Sequence, residues 1–161
     1  MRTFGCRFPH AALTAIAVAA VPAGAQTNPL ARFAPPALAL TDGRWNGVDL
    51  ERRTNCASAQ SNGNRGTYAQ FDVSTDAAGN FGVVQSGITG LNCNYIGRYQ
   101  VVDGRLAVQG NMSCSDGKQG AFQTTAIDVS GISLDIQFRM QLSGNETCSI
   151  EGLLGLSRLG P

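Results

Sequence analysis

The chain has 161 residues, with 12 Lys and Arg against 11 Asp and Glu for a net charge of +1, and 43% of its residues are hydrophobic. That balance excludes the strong field needed to gather nucleic acid or an anionic membrane surface. The length suits a single domain.

At the N-terminus, MRTFGCRFPH carries Arg2 and Arg7 ahead of the short apolar run AALTAIAVAAVPA, and AGA at 23–25 closes it with small residues. The pattern predicts a secretory signal peptide over 1–25, cleaved after Ala25. The run is too short, and too interrupted by Pro22, for a membrane-spanning helix. Cys6 precedes the run, where a lipid-anchoring cysteine would follow it. Loss of the signal removes Arg2, Arg7 and the only histidine, His10, leaving ten basic against eleven acidic side chains, a net charge of −1. The expected destination is the bacterial periplasm or the medium. Residues 26–41, QTNPLARFAPPALALT, hold three of the six prolines and read as a disordered linker.

From Asp42 to Gly160 there is no proline, and 42–161 reads as one all-β domain. Alternation and turn residues predict eight strands near 43–50, 66–74, 79–87, 92–102, 104–114, 120–129, 132–142 and 147–157. In the last but one, Ile132, Leu134, Ile136, Phe138, Met140 and Leu142 alternate with polar residues. The register is sharpest at Asp103-Gly104, a two-residue turn signal. Pairing Val102 with Arg105 stacks Val101 on Leu106, Tyr99 on Val108, Gly97 on Gly110, Tyr95 on Met112 and Cys93 on Cys114. The opposite face is mostly polar. A one-residue slip would set apolar residues against polar ones along the whole ladder.

The segment DGRWNGVDLERRTNC at 42–56 resembles DGRLAVQGNMSC at 103–114, and CNYIG at 93 resembles CSIEG at 148. The chain therefore reads as two four-strand pseudo-repeats. Eight antiparallel strands with one apolar face close into an up-and-down barrel or fold into two packed sheets; short turns and the lack of a crossover favour the barrel. A meander then puts Cys56, Cys93, Cys114 and Cys148 at one end. Pairing Cys93 with Cys114 and Cys56 with Cys148 obeys the pseudo-two-fold, as does the alternative of 56 with 93 and 114 with 148. Two disulfides accord with export to an oxidising compartment.

Without histidine the mature protein has no Ser-His-Asp or Cys-His arrangement and no histidine metal ligand. Oxidised thiols remove nucleophilic cysteine and cysteine-rich zinc sites. Asp42, Asp76, Asp103 and Asp116 lie in turn contexts, while Asp49, Glu51, Asp72, Asp128, Asp135 and Glu151 are expected on solvated strand faces. No catalytic carboxylate pair, cofactor or metal is expected. Trp45, Tyr95, Tyr99 and Phe138 are the candidates for an inward, ligand-binding face, and the Gly97–Gly110 pair would either leave room inside or let the strands bend. The loop RRTNCASAQSNGNRG, 52–66, brings Arg52, Arg53 and Arg65 to the cysteine end, beside Lys118 in the matching loop of the second half. The expected function is a non-catalytic exported barrel that binds a small apolar or amphipathic molecule. The alternative is a protein-interaction module, such as a hydrolase inhibitor or envelope-associated factor, that meets another exported protein through those four basic residues. Neither nucleic-acid binding nor membrane insertion is expected.

Overall fold

The computed structural model describes residues 41–159. The expected signal peptide and all but the last residue of the expected linker lie outside these residues. Eight strands follow one another: β1 (Gly43–Thr54), β2 (Gly63–Thr75), β3 (Asn80–Gly87), β4 (Asn92–Val102), β5 (Arg105–Cys114), β6 (Lys118–Val129), β7 (Ser133–Gly144) and β8 (Cys148–Arg158). Each pairs antiparallel with its neighbour in sequence, and β1 pairs with β8 to close the barrel. Closure leaves no exposed sheet edge, and the single closed sheet decides against two packed sheets.

The β4–β5 hairpin has the register that its alternation dictates, from Val102 opposite Arg105 to Cys93 opposite Cys114. Asp103 and Gly104 both take positive φ, 50° and 78°, the conformation a two-residue hairpin turn needs. At Gly97 and Gly110 the glycines serve close strand approach and add no room inside. A Cβ on Gly110 would lie 2.2 Å from the Ile96 carbonyl oxygen, and one on Gly97 would lie 2.6 Å from that of Gln109. Only glycine allows so close an approach of the two strands.

The predicted loop 52–66 is shorter than the sequence suggests. β1 runs on to Thr54, held by pairing of Arg53 with Ile150 and Thr54 with Ser149, and β2 begins at Gly63. Arg52, Arg53 and Arg65 are thus strand residues. The β5–β6 seam is the shortest: pairing covers only Gln109–Ser113 against Gln119–Gln123, and it ends short of Thr124, where β6 carries a bulge in its pairing with β7, so the two strands part towards the Asp103 turn. There the Val108 amide donates to the Thr124 hydroxyl at 2.7 Å in place of a ladder bond.

The apolar face points inward throughout. One end is filled by Trp45, Leu134, Val108 and Tyr99, all almost fully buried. Thr41, assigned from the sequence to the linker, belongs to this plug: its carbonyl accepts from Trp45 Nε1 at 2.8 Å, and its hydroxyl shares a hydrogen bond of 2.7 Å with the Tyr99 hydroxyl. The Arg158 guanidinium lies 4.4 Å from the centre of the Trp45 ring. Cys93, Cys148, Leu142 and Ile150 are buried at the other end.

The disulfides are Cys93–Cys114, within one hairpin, and Cys56–Cys148, across the β1–β8 seam. Both accord with an oxidising, exported environment. They close loops with separations of 21 and 92 residues, so the unfolded-chain entropy each removes differs. Replacing Cys56 and Cys148 together with Ala is expected to lower unfolding free energy by about 4–5 kcal/mol, against about 3 kcal/mol for the Cys93 and Cys114 pair. Denaturant titration of the two double variants measures the difference; equal losses would show that chain entropy does not set the contribution of the seam bond.

Candidate functional site

Between the plug and the cysteine end the barrel interior holds a partly open cavity of about 50 Å³. A single water occupies roughly 10–15 Å³ on this measure, so the space admits a few waters or a small organic group. Its wall is almost wholly apolar, with Phe71, Val83, Phe122, Phe138, Met140 and Leu154 prominent in it. Tyr95 and Phe122 meet edge to face, with ring centroids 5.6 Å apart. The Phe138 ring lies over Gly152, where a Cβ would come within 2.3 Å of it, so this glycine leaves the ring its place.

The polar groups in the wall are Asp49, Thr124 and the Tyr95 hydroxyl. Tyr95 donates to Gln85 Oε1 at 2.7 Å. Asp49 is only 6% exposed, and its Oδ1 has no hydrogen-bond partner among the described residues. The sequence reading put Asp49 and Glu51 on the solvated face; the structure corrects both. In β1 the residues that share the face of Trp45 are Gly47, Asp49, Glu51 and Arg53, so all three charged groups belong to the inside. The missed signal was parity counted from Trp45. The same count from Phe81 would have found Gln85, and from Phe122 would have found Thr124.

Glu51 and Arg53 form an ion pair of 2.7 Å, and Arg53 reaches Glu146 at 3.4 Å. Glu146 also faces Lys118 at 3.7 Å, and Lys118 is bonded to Asp116. This chain of charges covers the cysteine end of the barrel. Asp49 lies below it. Burial pushes the Asp49 carboxyl up to about 7, repulsion from Glu51 adds to that, and Arg53 pulls the other way. Burial first, then the negative charges of Asp49 and Glu51, also push the Tyr95 hydroxyl upward, so it stays a neutral donor.

The four aromatic residues expected to bind ligand divide between two places. Tyr95 and Phe138 line the cavity, while Trp45 and Tyr99 are spent in the plug with Thr41. The four basic residues divide too. Arg53 and Lys118 are in ion pairs at the barrel mouth, whereas Arg52 and Arg65 flank a recess on the outer wall with Leu50, Glu151 and Leu153. Thr124 lines the cavity on one side and, on the other, a separate outer recess at the parted β5–β6 seam. Among the described residues no group of three or more His, Cys, Asp or Glu is placed to hold a metal ion, and no helix is long and apolar enough to cross a membrane.

No family model matches the sequence, and a search of curated proteins finds no match. Among solved structures the chain is similar to a redesigned β-barrel, mFAP1, bound to DFHBI. The identity is 14% and the TM-score 0.46, over 74% of this chain and 97% of that one. So distant a likeness has no bearing on what this barrel binds.

The Asp49 environment has a measurable consequence. Its carboxyl has an ordinary value of 3.8 in the unfolded chain and about 7 in the barrel. Between those values the folded state holds a proton that the unfolded state has lost, so stability falls as pH rises from about 4 to 7 and is level above that. Asp49→Asn is expected to raise unfolding free energy by about 4 kcal/mol at pH 8, with the gain vanishing near pH 4. Chemical denaturation of both proteins across that range tests this; a variant that is less stable than the parent at pH 8 contradicts it.

Proposed function

We propose that this protein is a non-catalytic exported binding barrel that holds one small apolar or amphipathic molecule inside. The observation that carries the reading is the combination of a partly open apolar, aromatic-lined cavity with one buried, unpartnered polar group in its wall. Small-molecule sites have this make-up: apolar surface supplies the affinity and a few placed polar atoms supply orientation. The burial of a carboxylate with an unpartnered oxygen adds support, because such costs concentrate where function requires them.

Export rests on the signal-like N-terminus and the two disulfides, and the periplasm or medium is the proposed location. Action through the basic residues at the cysteine end has less support, since Arg53 and Lys118 already have acidic partners. Arg52, on the outer wall, and Arg65, on the exposed rim, remain for such a role.

The test is ligand binding with and without room. Native mass spectrometry of protein purified from its host should show a mass above that of the denatured chain, and the released molecule should be chemically unchanged. In Gly152→Ala the new methyl group displaces the Phe138 ring into the cavity. Binding is expected to fall at least tenfold, while both disulfides and the β-sheet circular dichroism persist. Undiminished binding in a folded Gly152→Ala protein would place the ligand elsewhere.

A further inference from the structure

We propose that the ligand is a small organic amine, its protonated nitrogen seated on the Asp49 carboxylate and its apolar body against Phe122, Phe138 and Leu154. This rests on the cavity-binding reading and specifies its ligand class. The first observation is the unpartnered Asp49 Oδ1, buried in the cavity wall. Buried acceptors in folded proteins are almost always satisfied, and one left open at a cavity is a place for a donor from outside.

The surrounding charges define which donor. On β1, Glu51 is paired with Arg53, and Arg53 is shared with Glu146. From the loop before β8, Glu146 engages Lys118 at the start of β6, which also holds Asp116. β3 and β4 present Gln85 and Tyr95, bonded to each other, and β6 presents Thr124, engaged by Val108. β2 contributes Arg65 at the register of Glu51, on the exposed rim. Towards Asp49, β7 and β8 offer only apolar cavity residues, among them Phe138, Met140 and Leu154. Four carboxylates, Asp49, Glu51, Asp116 and Glu146, thus surround the mouth against three cations, of which Arg53 and Lys118 are already engaged and Arg65 stands on the exposed rim. The net field favours a cation and opposes a fatty acid or other anion. The faces of Tyr95 and Phe122 add a further site for positive charge. The volume limits the apolar body to a short chain of about three carbons.

The pH dependence follows from the same group. The ammonium binds the carboxylate form, so affinity rises with pH and levels off above about 7, where the free protein has lost the proton.

The probes are propylamine, which stays protonated across this range, and its neutral counterparts propan-1-ol and 1-chloropropane, measured by calorimetry or by ring-proton shifts of Tyr95 and Phe138. At pH 8 propylamine is expected to bind at least tenfold more tightly than propan-1-ol. At pH 5.5 its affinity should fall about thirtyfold while that of propan-1-ol changes little. Asp49→Asn should lose the preference for the amine and keep the neutral probes. Should that variant fail to fold, the pH series on the parent protein decides alone. Equal or better binding of the neutral probes at pH 8 overturns the amine assignment and leaves the cavity reading standing. Absence of all three probes from the cavity overturns both.

Discussion

Closure of the sheet through β1 and β8 is the constraint on which the rest of the molecule depends. Once these strands pair, every strand has one face inside and one outside, and side-chain parity becomes a statement about solvent. The Cys56–Cys148 bond ties this same seam. Parity along β1 is also what carries Asp49 inward, because a strand cannot keep Trp45 in the core and turn Asp49 outward without a bulge between them, and the pairing of β1 with both neighbours is unbroken there.

The interior is graded along the barrel axis. The far end is sealed by Trp45, Tyr99 and Thr41, which spend their polar atoms on one another. The middle is apolar but incompletely filled. The cysteine end is charged, with acidic and basic groups linked in a chain above the cavity. Asp49 stands where the apolar middle meets that charged cover, low enough to be desolvated and within the field of Glu51. The two conditions that lift its proton affinity are thus consequences of one position in one strand. A group so placed ties the stability of the barrel to whatever occupies the cavity, since a bound cation would relieve the same desolvated charge that weakens the empty fold.

Much of the architecture was legible in the sequence because it rests on period-two alternation and on turn chemistry. Asp103-Gly104 dictated the hairpin register, and the pseudo-repeat brought the cysteines to one end, although symmetry alone could not choose between two pairings. What escaped was where composition and geometry disagree. A carboxylate in a strand defaults to water, so Asp49 and Glu51 were assigned to the outside despite sharing parity with Trp45. Arg52, Arg53 and Arg65 looked like loop residues because the sequence from 52 to 66 is polar, yet ladder pairing with β8 extends β1 to Thr54. Inward aromatic side chains were recognisable, but which of them would fill the plug and which would line a cavity depends on position along the axis. That in turn depends on the stagger of all eight strands.

The most direct measurement is the titration of the Asp49 carboxyl carbon by carbon-13 nuclear magnetic resonance in the ligand-free protein. A buried, unpaired carboxyl in the barrel interior gives a midpoint near pH 7. A midpoint near the ordinary value of 3.8 would mean that Asp49 is solvated or already paired, and the cavity would lose the polar group on which its assignment as a binding site depends.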